Sequence, residues 1–222
     1  MLLCHSQAIV LRYISEGEFS CMIDYKESIN QILDIEAENI LKLKNRLNPD
    51  VVYQVISRLT AVKPKGRKVI TAGCGTSGML ARRVAHTLSV VEIPSFFCSP
   101  ADAVHGGSGC IQRDDTVILF SKGGNTPEIL SYLPICHAKG SYTIGVSQND
   151  ASALARKSDL YFKIEIDKEA DTWNLCASAS CNAIAAVWDA IAFTTAQYTG
   201  FTKEDLALIH PGGLVGERLK ST

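Results

Sequence analysis

The sequence predicts an α/β fold of three layers: a five-stranded parallel sheet between two layers of helices, preceded by a helical extension. Three observations lead there. From residue 68 onward, short apolar runs alternate with longer amphipathic segments, the pattern of strands joined by crossover helices. Two of the runs end in glycine-rich turns that open directly into helix-like sequence. Residues 27–62, by contrast, carry their apolar side chains at helical spacing.

The elements follow in order. Ile29, Ile32, Leu33, Ile35, Ile40, Leu41 and Leu43 recur at helical spacing through 27–47. Asn48-Pro-Asp50 caps a second helix, 51–62, with Val52, Val55, Ile56 and Leu59 inside, and Lys63-Pro-Lys-Gly66 ends it. Either the chain's own sheet or a second subunit can cover such a pair; dimerisation is the expectation. Strands are expected at 68–72, 95–98, 116–120, 142–147 and 160–164, and helices at 77–90, 126–137, 151–156, 176–199 and 203–208. The long Ala-rich helix at 176–199 has a period that turns Ile184, Val187, Trp188, Ile191 and Phe193 inward. The expected organisation is a tail at 1–25, a helical extension at 26–66 and one α/β domain at 67–220.

Composition narrows the function. A chain of 222 residues that is 46% hydrophobic can bury one sizeable core, and a formal net charge of −1 argues against a nucleic-acid partner. The eight cysteines form no Cys-x-x-Cys pair, so neither a zinc ribbon nor a thioredoxin-like site is expected. Cys74, Cys110 and Cys181 read as reduced, buried thiols of a cytoplasmic protein. No apolar run approaches the ~20 residues of a membrane span. The first 12 residues lack a basic start and are broken by His5, Ser6 and Gln7, so they do not read as a signal peptide.

Two loops carry the chemistry. In Val69-Ile-Thr-Ala-Gly-Cys-Gly-Thr-Ser-Gly78 an apolar run ends in glycines and opens a helix, whose first backbone N–H groups can hold an anion. The spacing Gly73-x-Gly75-x-x-Gly78 also fits a dinucleotide fingerprint, but no acidic residue ends the next strand; Glu92 lies before it. A nucleotide P-loop is excluded because Met79-Leu80 stand where Lys and Ser/Thr are needed. A packing turn that binds nothing is the bland alternative. The second loop, Ser121-Lys-Gly-Gly-Asn-Thr-Pro-Glu128, follows the run 116–120 and tips the balance. Two such loops at adjoining strand ends describe one pocket that grips a phosphate from two sides, with Ser77, Ser121 and Thr126 as hydroxyl ligands and backbone donors around Gly75 and Gly124.

These residues resemble the sugar isomerase (SIS) phosphosugar-binding domain, and more narrowly its arabinose-5-phosphate isomerase branch. The resemblance rests on Gly73-Cys-Gly-Thr-Ser-Gly78, Ala103-Val-His-Gly106, Ser121-Lys-Gly-Gly-Asn-Thr-Pro-Glu128, Lys168-Glu-Ala170 and His210-Pro-Gly-Gly-Leu-Val-Gly216, in that order, over roughly residues 27–220. It implies a flavodoxin-like sheet, a phosphorylated sugar as substrate, aldose–ketose isomerisation through an enediol, and a homodimer or homotetramer. No metal, cofactor, nucleic acid or membrane is implied. Longer members carry paired cystathionine-synthase-type (CBS) modules after the His-Pro-Gly-Gly segment, and none is expected here.

Such a reaction needs a base for the C2 proton, a donor for the enediolate and a proton shuttle between two oxygens. Glu128, one turn into the helix after the second loop, is the candidate base; an early-helix carboxylate also simply complements the helix dipole. By resemblance Glu169, in Asp167-Lys-Glu-Ala-Asp171, is a second active-site carboxylate, with a solvated charged loop as the alternative. His105 sits in the glycine-rich Val104-His-Gly-Gly-Ser-Gly109, at the strand ends where ligands bind. By resemblance His210 reaches an active site, that of a neighbouring subunit, for ring opening or proton transfer. Ser178 and Ser180 stand where they could cap the long helix or extend the anion site. Three positions depart from the family pattern: Thr76 replaces Lys in the first loop, Gly123 replaces Ser in the second, and Gly107 replaces the Asp after the histidine loop's glycine. Lys122 can restore the charge that Thr76 removes. The competing reading is a non-catalytic sugar-phosphate sensor; the presence together of His105, Glu128, Glu169 and His210 favours an enzyme.

Overall fold

A computed structural model of the chain describes residues 24–220. The expected tail at 1–25, apart from its last two residues, and the segment weighed as a signal peptide lie outside the described residues. Two helices open the fold, α1 (Tyr25–Arg46) and α2 (Pro49–Thr60). Then come β1 (Val69–Gly73), α3 (Gly75–Val90), β2 (Ser95–Phe97), α4 (Pro100–Ala103), a 3-10 turn (Gly107–Cys110) and β3 (Thr116–Phe120). The chain continues through α5 (Pro127–Ala138), β4 (Tyr142–Ser147), α6 (Ala153–Lys157) and β5 (Leu160–Lys163) to the long α7 (Ala179–Thr199). Two short helices follow, α8 (Lys203–Ile209) and α9 (Gly213–Lys220).

The five strands form one parallel sheet in the order β2-β1-β3-β4-β5. The order reverses between β1 and β3, so the loops leaving these two strands flank the crevice where open α/β sheets take ligands. Strand alternation divides the core into two layers. Val69, Ile118, Phe120, Ile144 and Val146 face α3 and α7, while Ile70, Ala72, Val117 and Leu119 face α4, α5 and α6. The Thr71 hydroxyl crosses the gap to donate to the Ala81 carbonyl at 2.8 Å, which pins β1 to α3.

The helical extension packs on its own domain. Leu43, Val55 and Leu59 join the same apolar layer as α3 and α7. Much of the expected stripe on α1 is nevertheless exposed: Ile29, Ile32, Leu33 and Leu41 point to solvent. In α7, Ile184, Val187, Trp188 and Ile191 are buried as expected, and Trp188 meets Phe120 and Phe162 edge-on at centroid distances of 5.7 and 6.1 Å. Phe193 corrects the reading: it is 54% exposed. Five positions after Trp188 it lies about 140° around the helix from that face. The sequence revealed neither α4 nor the 3-10 turn, four residues each and too short for periodicity to register; α9 was missed as well. Cys98 and Cys136 are buried, whereas Cys74, Cys110 and Cys181 are only partly so, a second correction. Among the described residues no helix is long and apolar enough to cross a membrane.

Candidate active site

The first loop is built on close backbone contact. A Cβ on Gly73 would lie 2.5 Å from the Ser77 carbonyl oxygen, and one on Gly78 would lie 2.7 Å from the Gly73 oxygen. The strand end and the first helical turn therefore touch, main chain to main chain. Gly75, at φ +54°, takes the left-handed conformation that begins α3. No side chain caps that helix among the described residues. The first-turn amides of Gly75, Thr76 and Ser77 are left for an anion.

The second loop is held by its own side chains. Ser121 is buried; its hydroxyl lies 2.8 Å from that of Thr126 and accepts the Gly124 N–H at 3.0 Å. Gly124 takes φ +69°, and a Cβ there would strike the Ser152 hydroxyl at 2.2 Å. The Gly124 N–H is thus spent inside the loop, which it shapes from within; the donor expected there for a ligand is already engaged. Thr126 stands at the N-cap of α5 without capping it, so its hydroxyl serves the pair with Ser121.

Sheet register brings the two loops together. Gly73 is paired with Phe120, so Cys74 and Ser121 leave adjacent strands at the same level. Glu128 is exposed in the first turn of α5, and it reaches the first loop electrostatically: burial, and then the Glu128 carboxylate, push the Cys74 thiol up from its ordinary value. A carboxylate thus stands beside two converging anion loops, an arrangement that can bind a phosphoryl group and take a proton from a carbon near it.

Glu169 is neither free nor solvated. It is 1% exposed. Its carboxylate accepts from Lys122 Nζ at 2.5 Å, from the Ser180 hydroxyl at 2.5 Å, and from the N–H groups of Ser178 and Ser180 at 3.0 Å each. Burial alone would push the carboxyl up, but the Lys122 ammonium, the Ser180 hydroxyl and the two amides outweigh it and hold it below its ordinary value. Ser178 occupies the N-cap of α7 without capping it; its hydroxyl accepts the Ala170 N–H at 3.1 Å. The two serines thus secure the Glu169 loop, and Glu169 caps α7 from outside the helix. The extension holds this loop too: Asn39 of α1 accepts the Asp167 N–H at 2.9 Å and donates to the Lys168 carbonyl at 3.1 Å.

The histidines divide. His105 is exposed in the turn between α4 and the 3-10 turn, at the carboxyl end of β2 and so at the same pole of the sheet as both loops. His210 is exposed at the C-cap of α8, its Nδ1 3.2 Å from the Gly212 carbonyl. α7 starts beside Glu169 and carries the chain about 30 Å away from that pole. Gly200, Phe201 and Asp205 then line a small cavity with Lys63, Glu92 and Ile93, residues that precede β1 and β2. Within one chain, no contact among the described residues brings His210 to Glu128.

Sequence reasoning saw Lys122 but not its partner, which lies 47 positions on. It also missed Asn174, whose side chain accepts the Glu169 N–H at 2.6 Å, and Asp171, whose carboxylate gathers the N–H groups of Trp173, Leu175 and Cys176. An Asp two residues before Trp173 is an ordinary loop-turn signal that could have pointed to the latter.

A profile of the SIS domain matches residues 64–196. The chain belongs to the SIS domain family. It is 34% identical over 197 residues to the arabinose 5-phosphate isomerase KdsD of Pseudomonas aeruginosa, covering 89% of this chain and 59% of that protein. It is 31% identical over 206 residues to KdsD of Escherichia coli K12, covering 93% of this chain and 62% of the relative. The chain thus spans less than two thirds of the length of these curated relatives. A solved Listeria monocytogenes protein superposes with a TM-score of 0.82 at 37% identity, covering 85% of this chain and 97% of the other. A protein of E. coli CFT073, solved in complex with arabinose 5-phosphate, superposes with a TM-score of 0.80 at 33% identity, covering 85% and 98%. Both structures support the three-layer fold with five parallel strands.

Proposed function

We propose that the protein is an aldose–ketose isomerase of a phosphorylated sugar, acting on arabinose 5-phosphate. The observation that carries the reading is the meeting of the two glycine-rich loops at adjacent strand ends, Gly73 level with Phe120, with Glu128 in the first turn of the helix that the second loop opens. The curated relatives named for this activity, and the sugar-phosphate complex of a similar structure, support the choice of sugar.

In this reading the phosphoryl group sits at the switch between β1 and β3. The first-turn amides of Gly75, Thr76 and Ser77 and the hydroxyls of Ser77, Ser121 and Thr126 hold it. Glu128 takes the C2 proton. The electron pair of the C2–H bond forms the C1–C2 double bond, and the aldehyde oxygen receives a proton to complete the enediol. Loss of the O2 proton and return of a proton to C1 give the ketose. No electron leaves the substrate, so the balance is proton transfer alone. His105 stands at the correct pole to move a proton between O1 and O2. We take His210 to be supplied by another copy of the chain, a reading supported by α7 running away from this pole and by Asp205 of α8 lying beside Lys63, Glu92 and Ile93. Leu208, Ile209, Leu214 and Val215 around it are exposed, a surface suited to docking on a second copy. We place the protein in the cytoplasm, in keeping with its free thiols.

The test incubates the protein with pentose and hexose phosphates in deuterated water and follows exchange at C2 by NMR. Exchange on arabinose 5-phosphate, lost in Glu128→Gln and His210→Ala, is expected. Binding without exchange on every sugar would instead establish the sensor reading.

A further inference from the structure

We infer that Lys122 is the cation that holds the substrate's phosphoryl group, and that Glu169 serves the reaction by positioning Lys122 rather than by exchanging protons with the sugar. This rests on the phosphosugar reading above and adds to it the source of the site's positive charge.

A sugar phosphate carries between one and two negative charges near neutrality. The first loop, residues 73–78, has no cationic side chain, and in the second, 121–128, Lys122 is the sole one. Glu128 adds a negative charge beside the same site. Neutral hydroxyls and amides would have to hold the anion against that carboxylate, unless a nearby cation offsets it.

Lys122 is placed to do so. It follows Ser121 directly, and its carbonyl accepts the Gln148 N–H at 3.1 Å, which fixes its backbone to the end of β4. Its side chain remains 32% exposed while that of Glu169 is fully buried, so the pair presents an ammonium and hides a carboxylate. An ammonium has three donors, and Glu169 is one partner. Glu169, for its part, has four donors within 3.0 Å, and its route to solvent is closed by Lys122 and the start of α7. A carboxylate so occupied is a poor acceptor for a substrate proton and a rigid anchor for a lysine.

The experiment combines calorimetric titration with inorganic phosphate and kinetics of C2 exchange on arabinose 5-phosphate. Lys122→Met is expected to weaken phosphate binding at least tenfold and to raise KM by a similar factor, the loss falling more on KM than on kcat. Lys122→Arg should recover most of the binding. Glu169→Gln should also weaken phosphate binding and raise KM, leave the shape of the kcat–pH profile intact, and add little when combined with Lys122→Met. Because the variants can lose folding, the wild-type protein is also titrated with phosphate while the ammonium nitrogen resonance of Lys122 is followed; it should move with occupancy. Undiminished phosphate binding in folded Lys122→Met, or an unmoved resonance at saturation, overturns the assignment. A Glu169→Gln variant that loses kcat at unchanged KM and changes the pH profile overturns the positioning role. A wild type that binds phosphate through Lys122 yet exchanges no C2 proton keeps the Lys122 assignment and overturns the isomerase reading, and with it the role of Glu169 in a reaction.

Discussion

At Gly73 a single hydrogen atom in place of a methyl group permits the first loop. An added Cβ would meet the Ser77 carbonyl at 2.5 Å, and the backbone at 77–78 would have to retreat. Gly73→Ala is expected to cost about 1–3 kcal/mol of stability and to weaken phosphate binding together with it; thermal unfolding and phosphate titration measure both. The glycine spacing was readable because only glycine tolerates such contact. Glu169 was not, since a charged loop residue in sequence gives no sign that three donors from the start of α7 and the Lys122 ammonium 47 positions before it will surround it. Its carboxyl is held below its ordinary value, near 4.5 for a free glutamate. It therefore contributes stability above that pH, and the contribution is lost as pH falls through the lower folded value. Glu169→Gln should destabilise by about 3 kcal/mol at pH 7, with the gap to wild type shrinking as the pH drops below about 4. Urea unfolding across pH 3–7 checks the sign; a gap that widens toward acid would refute it.

Among the elements, the strands and long helices were legible because apolar periodicity reports burial directly. The limit of that signal shows in α1. Its apolar stripe is real, yet Ile29, Ile32 and Leu33 stay exposed while Leu43 is buried, because α7 meets only part of the helix. Periodicity says which face is apolar, not what covers it. Helix α8 shows a different kind of information. Thr202 and Asp205 form a reciprocal capping box: Asp205 accepts the Thr202 N–H at 2.9 Å, and Thr202 accepts the Asp205 N–H at 3.1 Å. That seven-residue helix carries His210 at its end. Thr202→Ala should cost about 1 kcal/mol locally, speed amide hydrogen exchange through α8, and lower the isomerase rate through His210. Unchanged exchange in α8 would show that the cap is not what orders the arm.

Across the whole molecule, parallel strands gather the loops bearing Gly75, His105, Ser121 and Glu169 at one pole, while α7 carries the chain to the other, where the start of α8 lies. One copy therefore offers Glu128 and another offers His210, if both act on one sugar. The expectation is complementation. Glu128→Gln and His210→Ala proteins, each expected to be inactive on the proposed reading, should recover activity when unfolded together and refolded as a mixture. Sedimentation of the mixture identifies the assembly, and no recovery in confirmed mixed oligomers would assign His210 to its own chain or to no role.

The sheet, the long helices that cover it and the two glycine-rich loops could be read from the order of residues alone, because they depend on local spacing: period 2, period 3.6, and glycine where one main chain must approach another. The meeting of Lys122 with Glu169, the service of Ser178 and Ser180 to that carboxylate, and the departure of α7 from the pole of the two loops emerged only once the chain was folded. The first depends on how segments 47 positions apart stack, the second on the loop turning back onto the start of α7, and the third on the direction in which that helix runs, none of which a local pattern of side chains encodes.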